Sequence, residues 1–170
     1  MPVIILQNPD TLAHFSLMGG SFFSCPASSS IFTVNLMAEV ERPCDLYIPI
    51  RDFSIPEDNA PLIEAFEKIF ESGKDVYVGC FGGIGRTGLF MASLVKYLGH
   101  ENPVEMVRQF YNPHACETDE QRHFAESFPA RQAPSPVLST SEKPQEKPQE
   151  KPQEETAAPP AYSPPPPSRL

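Results

Sequence analysis

Two residues suited to phosphate chemistry, Cys80 and Arg86, are separated by five residues in a stretch that is rich in glycine. The stretch follows an apolar run at 76–78 and leads into apolar residues with helical spacing at 89–95, which predicts a strand, a tight loop and a helix. Backbone N–H groups of such a loop point inward and, with the helix dipole, form a site for a tetrahedral oxyanion. A thiol inside this site and a guanidinium at its edge predict a phosphate-binding loop that holds a nucleophile.

Three other interpretations of this loop fit less well. Gly83, Gly85 and Gly88 match the dinucleotide fingerprint Gly-x-Gly-x-x-Gly, but the residues that follow supply no second strand ending in an acid. The Walker loop requires glycine at the position of Cys80 and lysine at that of Arg86. A buried, inert cysteine beside a glycine turn would leave the arginine without a role. The interpretation with a nucleophile therefore explains the most residues.

The segment from Gly79 to Gly88 resembles the signature loop of cysteine-dependent protein tyrosine and dual-specificity phosphatases. The resemblance implies that Cys80 is the nucleophile, that Arg86 binds phosphoryl oxygens bidentately and that Thr87 donates a hydrogen bond to the thiolate. The residues implied to line the phosphate site are Phe81, Gly82, Gly83, Ile84, Gly85 and Arg86. The family usually has histidine immediately before the nucleophile, where this chain has glycine.

A general acid is expected on the loop that follows the predicted strand at 45–50. Asp52 lies just past the end of this predicted strand, where a loop can bring it to the mouth of the sheet. The segment 47–56 also resembles the dual-specificity pattern in which the acid follows an Ile-Pro-Ile run. Asp58 is the rival candidate, although it fits a capping turn before Pro61. A helix N-cap or a solvated surface acid is the non-catalytic alternative for Asp52.

Gln121 has two interpretations that are compatible. Thr118, with a glutamine three residues later, matches a capping box and predicts the start of a late helix. The same segment resembles the late Thr-x-x-Gln segment of the family, whose glutamine positions the hydrolytic water. Gln121 is therefore a candidate for both roles.

The resemblance covers about residues 30–128 and implies an α/β fold. Its central sheet is mostly parallel and flanked by helices, with the site at the C-terminal ends of the strands. Residues 7–29 have little periodicity and are assigned no element. Strands are predicted at 3–6, 31–36, 45–50 and before Cys80. Helices are predicted to begin at Pro61, after the loop, at Pro103 and after Thr118, and Gly99 is predicted to end the helix after the loop.

Proline divides the chain into two parts, since 11 of its 21 prolines lie after residue 130. Three Lys-Pro-Gln-Glu repeats occupy residues 143–154, and few apolar side chains follow 130 to offset the entropy cost of ordering. The sequence therefore predicts a catalytic domain at 1–130 and a disordered, Pro-rich tail at 131–170.

Two short patterns in the tail suggest partners. Pro159, Pro160 and Tyr162 fit the Pro-Pro-x-Tyr pattern that WW domains bind, so a WW-domain protein is a candidate partner, with a plain proline-rich spacer as the alternative. The terminal 168–170 resembles a peroxisomal address, a weak signal that applies only in a host with peroxisomes.

Charge and composition narrow the other partners and the location. Residues 1–130 hold 17 acidic residues and 8 Lys and Arg, a net charge of −9, which argues against nucleic acid or a phosphoinositide-rich membrane as partner. The four cysteines have no paired spacing and the four histidines no ligand spacing, so we expect no metal or other cofactor. With no long apolar run, the chain is expected to be cytoplasmic and without a membrane span.

The predicted function is a phosphoprotein phosphatase that acts on phosphotyrosine, with phosphoserine and phosphothreonine left open, through a cysteinyl-phosphate intermediate. One alternative is a lipid, inositol or RNA 5′-phosphatase of the same fold, although the uncharged Phe81, Gly82 and Ile84 do not favour a polyanionic substrate. The other is a phospho-binding adaptor without catalysis, which uses the Pro-Pro-x-Tyr tail for recruitment. The combination of Cys80, Arg86 and Asp52 argues against a dead enzyme.

Overall fold

A five-stranded sheet is the centre of the computed structural model, which describes residues 2–132. The strands lie in the order β1-β2-β5-β3-β4, and only the edge strand β1 runs antiparallel to its neighbour. The strands are β1 (Val3–Gln7), β2 (His14–Ser21), β3 (Ile31–Met37), β4 (Leu46–Ile50) and β5 (Asp75–Cys80). The helices are α1 (Ala60–Ser72), α2 (Gly85–Tyr97), α3 (Pro103–Phe110) and α4 (Asp119–Glu126), with a 3-10 turn at Phe22–Ser24. The predicted α/β fold with a mostly parallel sheet is confirmed.

Strand β2 is the main element that the sequence did not predict. It lies beside the central strand β5, although it contains the pair Gly19 and Gly20. A Cβ on Gly20 would lie 2.6 Å from the Tyr77 hydroxyl, and one on Gly19 would lie 2.9 Å from a methyl group of Thr87. Glycine, which is usually unfavourable in a strand, is needed here because neighbouring groups approach the backbone closely.

Most of the core lies between the sheet and the helices. Nearly every residue of α2 is buried, so this helix is the central one of the helical layer. Phe66 of α1 packs against Phe90, Tyr97 and Phe128, with ring centroids 5.1, 5.4 and 5.6 Å away. Each such aromatic pair contributes about 0.5–1.5 kcal/mol beyond the burial of its area. This cluster fixes α1 against α2.

The ends of the helices follow the predicted signals. Pro61 lies in the first turn of α1, and Gly99 follows α2 with a φ of +93°, a value that favours glycine. Thr118 and Gln121 form the predicted capping box at the start of α4. None of the helices within residues 2–132 is both long and apolar enough to cross a membrane.

The direction of the strands decides where a site can form. Because β2, β3, β4 and β5 are parallel, the loops after all four leave the same edge of the sheet. The loop after β5 leads into the N-terminus of α2. This edge is where ligands bind in open α/β sheets.

Arg131, the first residue of the predicted tail, packs on the folded part. Its backbone N–H donates to the Tyr97 carbonyl oxygen at 2.7 Å. Its guanidinium lies 2.7 Å from Glu67 and 2.8 Å from Asp10, and over the ring of Phe70. The packed part of the chain therefore continues at least one residue beyond the predicted boundary at 130. The division into a domain and a tail remains a prediction, because residues 133–170 lie outside the described residues.

Replacing Arg131 with alanine should lower the free energy of unfolding at neutral pH by about 1–2 kcal/mol. This value is at the low end of the range for hydrogen bonds to charged groups, because Glu67 is partly exposed and water weakens its interaction with Arg131. The hydrogen bonds from Arg131 hold the pKa of Glu67 below its ordinary value. The stabilisation is therefore complete above the ordinary pKa of a glutamate and is lost as the pH falls through the lowered value. Urea denaturation of both proteins near neutral pH and near about pH 3 measures the effect.

Lys68→Ala is the matched control, because Lys68 pairs with Glu64 on the exposed surface of α1, the helix that also carries Glu67. It should change the free energy of unfolding much less than Arg131→Ala does. Equal losses in the two variants, or a loss from Arg131→Ala that is independent of pH, would contradict a stabilising ion-pair cluster.

Candidate active site

The Cys80 thiol lies at the end of β5, beneath the first turn of α2. The residue is 3% exposed, and its Sγ accepts hydrogen bonds from the Gly83 N–H and from Thr87 Oγ1, both at 3.2 Å. The N-terminus of α2, which begins at Gly85, adds the positive end of its dipole. A position at a helix N-terminus is a feature of reactive cysteines.

The conformation of the loop depends on close contact with β2 and α3. Gly83 has a φ of +73°, and a Cβ there would lie 2.3 Å from the carbonyl carbon of Gly20. On the other side, the Tyr111 hydroxyl donates a hydrogen bond to the Gly83 carbonyl oxygen. Burial and the charge of Cys80 raise the pKa of Tyr111, so this hydroxyl keeps its proton and its hydrogen bond. The loop is therefore held between a glycine strand and a buried tyrosine.

Close packing on β2 also explains why position 79 is glycine, where the family usually has histidine. A Cβ on Gly79 would lie 2.9 Å from both the Cα and the N of Phe22 and 3.0 Å from the Gly20 carbonyl oxygen. These neighbours are backbone atoms, which cannot rotate away. The histidine that the family usually carries before the nucleophile therefore has no room here unless β2 moves.

Arg86 is the largest buried side chain in the described part of the chain, at 2% exposure. Its Nη1 donates to both Glu39 oxygens at 2.8 and 2.9 Å and to the Ile50 carbonyl oxygen at 3.0 Å. Its Nη2 lies 3.1 Å from Asp52 Oδ1. Its Nε is buried and has no hydrogen-bond partner among the described residues. One strong donor is therefore free to bind an anion.

The charges around Arg86 favour its charged form. Burial alone would lower the pKa of Arg86, but the hydrogen bond to Glu39 and the charges of Cys80, Asp52 and Glu39 outweigh it and raise the pKa. In return, the hydrogen bond from Arg86 holds the pKa of Glu39 below its ordinary value. The guanidinium is a permanent cation in the site.

Glu39 is the functional candidate that the sequence analysis missed. It lies two residues past the end of β3, as Asp52 lies two residues past β4. An acid just beyond the C-terminal end of a parallel strand was the signal that selected Asp52. Applied to β3, the same signal would have found Glu39.

The structure separates the two candidates for the general acid. Asp52 lies at the mouth of the site, on Arg86, and its side chain is 55% exposed. Asp58 Oδ1 accepts a hydrogen bond from the Ala60 N–H at 2.8 Å and so caps the start of α1, as its position before Pro61 predicted. Only Asp52 of this pair contacts Arg86.

Gln121 connects the loop after β4 with the first turn of α2. Its Nε2 donates to the Ser54 carbonyl oxygen at 3.2 Å, while its backbone N–H bonds the Thr118 hydroxyl. Its side-chain amide also lies close to Gly85, where a Cβ would be 3.0 Å from Gln121 Oε1. The Glu117 carboxylate lies beside the same glycine. The capping role of Gln121 and a position next to the phosphate loop therefore coexist.

The remaining cysteines lie elsewhere. Cys116 is fully buried, and burial raises its pKa to about 12, so its thiol stays protonated and acts as a small apolar group. Cys25 and Cys44 are half-buried, and for each of them burial raises the pKa.

Of the candidate site residues, the structure brings together Cys80, Arg86, Thr87, Asp52 and Gln121.

Comparison with known proteins gives the context of this arrangement. Residues 34–100 match a family model described as "Tc-R-P: Polymorphic toxin system, DSP-PTPase phosphatase". The chain is 40% identical over 122 residues to the uncharacterised protein MJECL20 of Methanocaldococcus jannaschii, covering 58% of this chain and 83% of that protein. It is 41% identical over 81 residues to MJ0215 of the same organism, but this covers 46% of the chain and only 51% of that relative.

Among solved structures, a Leishmania major protein assigned as a protein tyrosine phosphatase superposes with a TM-score of 0.51 and 16% identity. The superposition covers 75% of this chain and 98% of that one, so the two share a fold. The family match runs from β3 to the end of α2, which includes Asp52, Cys80 and Arg86. Over residues 34–100 the chain is therefore similar to DSP-PTPase phosphatases, and its fold is shared with a protein tyrosine phosphatase.

Proposed function

We propose that this protein is a phosphoprotein phosphatase that hydrolyses phosphotyrosine, and phosphoserine or phosphothreonine less efficiently, through a cysteinyl-phosphate intermediate. The observation that carries the proposal is the unpaired, buried Nε of Arg86 in the same loop as the Cys80 thiol. A buried donor without a partner is costly, and a phosphoryl oxygen is a suitable acceptor for it.

In the first step, Cys80 Sγ attacks the phosphorus atom. The S–P bond forms, the bond from phosphorus to the ester oxygen breaks, and Asp52 transfers a proton to the departing oxygen. The loop N–H groups and Arg86 stabilise the negative charge of the transferring phosphoryl group. The attacking species is the Cys80 thiolate, whose Sγ accepts hydrogen bonds from the Gly83 N–H and Thr87 Oγ1 at 3.2 Å.

In the second step, water attacks the phosphorus atom of the cysteinyl-phosphate. Asp52 accepts a proton from this water, the S–P bond breaks, and Cys80 leaves as a thiolate stabilised by Thr87. Gln121 lies between the Asp52 loop and Gly85, so its amide is suited to orient the water. No proton transfer in either step needs a group outside these residues.

Binding of the phosphate requires Asp52 to move. A bidentate contact with Arg86 uses Nε and Nη2, and Asp52 now occupies Nη2. Glu39 holds the opposite nitrogen, Nη1, and can stay in place. The substrate therefore replaces the general acid on Arg86 and frees it for the ester oxygen.

The proposal keeps the catalytic domain at 1–130, extended by Arg131, and needs no contribution from the tail. The WW-domain partner predicted from Pro159, Pro160 and Tyr162 lies outside the described residues and remains a prediction, as does the cytoplasmic location.

Replacement of Cys80 with serine should abolish turnover of a phosphotyrosine peptide, to below about 10⁻³ of the wild-type kcat, because an alkoxide is not available at neutral pH. The variant should still bind the peptide, since Arg86 and the loop N–H groups remain. Vanadate should inhibit the wild type, and EDTA should leave its rate unchanged. Activity that survives Cys80→Ser and disappears with EDTA would indicate a metal-dependent mechanism instead.

Replacement of Asp52 with asparagine should lower kcat for a phosphotyrosine peptide by about 10²–10⁴, the contribution of a general acid. The loss should be smaller for an aryl phosphate with an activated leaving group, which departs without a proton. Inorganic phosphate should inhibit this variant more strongly than the wild type, since no carboxylate competes for Nη2 of Arg86.

Asp58→Asn is the control, because Asp58 is a carboxylate six residues further along the chain that caps α1. It should leave kcat for both kinds of ester close to the wild-type value. A larger loss at Asp58 than at Asp52, or equal losses for the two esters, would reassign the general acid.

A further inference from the structure

Four exposed apolar side chains surround the candidate site. Phe23, Val40, Phe53 and Phe81 are 51%, 37%, 57% and 61% exposed. They follow β2, β3, β4 and β5 respectively, so every parallel strand carries one of them just past its C-terminal end. We call these four residues the apolar rim.

Three residues of the apolar rim are direct neighbours of site residues in the sequence. Phe81 follows Cys80, Val40 follows Glu39, and Phe53 follows Asp52. The backbone of Phe53 has a φ of +57°, a conformation that is unfavourable for a residue with a Cβ. An exposed phenylalanine in such a conformation is not explained by the stability of the fold. Exposed apolar groups that cluster in this way mark binding surfaces.

Two members of the apolar rim form a defined aromatic pair. The rings of Phe23 and Phe81 meet edge to face, with centroids 5.6 Å apart and an angle of 83° between their planes. The guanidinium of Arg42 lies 4.9 Å from the centre of the Phe23 ring. Because the backbone of Phe22 packs closely on Gly79, the turn that carries Phe23 is fixed against the strand of the nucleophile. The pair is therefore held at the mouth of the phosphate loop.

The charges near the apolar rim indicate which kind of leaving group the site can accept. The domain carries a net charge of −9, and Glu39 and Asp52 already face Arg86. Arg42 lies on an aromatic face, where a cation is stabilised by the ring quadrupole. These surroundings suit an uncharged, flat leaving group next to a single phosphate better than a polyphosphorylated one.

We propose that Phe23 and Phe81 are specificity-determining residues, which hold the phenyl ring of phosphotyrosine and so favour aryl over alkyl phosphate esters. The inference rests on the proposed phosphatase function and deepens it. In the bound state, the substrate ring packs on the Phe23–Phe81 pair while its phosphate lies on Arg86. Val40 and Phe53 cover the opposite side of the mouth. A phosphoserine side chain has no ring to fill this space.

The test compares a phosphotyrosine and a phosphoserine peptide with the same flanking sequence. In the double variant Phe23→Leu/Phe81→Leu, the ratio of kcat/KM for the phosphotyrosine peptide to that for the phosphoserine peptide should fall about tenfold. Such a fall is of the size expected for the loss of aromatic pairing. Phe81→Tyr, which keeps the ring, should retain the wild-type ratio.

Leu12→Ala is the matched control, since Leu12 is 67% exposed on the hairpin between β1 and β2, at the opposite edge of the sheet. It should leave the ratio unchanged. A ratio that the double variant leaves at the wild-type value, or that Leu12→Ala lowers equally, overturns the inference. It is also overturned if the double variant mainly lowers release of phosphate from vesicles of phosphatidylcholine with a phosphatidylinositol monophosphate, which would make the apolar rim a lipid-binding surface.

Measurements of peptide binding distinguish a failure of this inference from a failure of the proposed function. The two peptides are titrated into Cys80→Ser and into the same variant with Phe23→Leu/Phe81→Leu. Preference of Cys80→Ser for the phosphotyrosine peptide, lost with the two leucines, supports the apolar rim even if the wild type hydrolyses neither ester. Equal affinity of Cys80→Ser for both peptides overturns the inference, whatever the wild-type activity is.

Discussion

A buried guanidinium is the group on which the site and the sheet edge both depend. Arg86 is 2% exposed, and a charge that is removed from water to this extent is stable only if it is paired. Its partners come from the loops after two different strands: Glu39 after β3, and the Ile50 carbonyl and Asp52 after β4. One cation from α2 therefore ties together the ends of β3, β4 and β5. Without these partners the buried charge would be unsatisfied, so the loops are constrained by the same group that is proposed to bind the substrate.

Close backbone packing is the second constraint, and it sets the position of Cys80. Gly19 and Gly20 of β2, Gly79 of β5 and Gly83 of the loop all approach neighbouring groups at distances that exclude a Cβ. These contacts let the loop fold back on β2, where the Gly83 N–H reaches Cys80 Sγ. They also exclude the histidine usual in the family. The chain thus places a backbone N–H, a hydroxyl and a helix N-terminus at Cys80 Sγ, with no side chain at position 79.

The parts of this fold that local patterns encode were predicted, and the parts that tertiary contact encodes were not. Helix signals such as Pro61, Gly99 and the Thr118 capping box act within one turn, so the sequence alone reveals them. Strand β2 was missed because its glycines are selected by neighbours that are distant in the sequence. The loop motif predicted Cys80, Arg86 and Thr87 together, whereas the partner Glu39 is 47 residues away from Arg86 and has no motif of its own.

The arrangement of charges explains why substrate binding and readiness of the general acid are coupled in the proposed mechanism. Without substrate, the carboxylate of Asp52 neutralises Nη2 of Arg86, while Glu39 neutralises Nη1. A phosphate ester brings further negative charge to the same nitrogen, so it repels the Asp52 carboxylate and displaces it. The displaced carboxyl group is then free to face the ester oxygen, to which it donates a proton in the proposed mechanism.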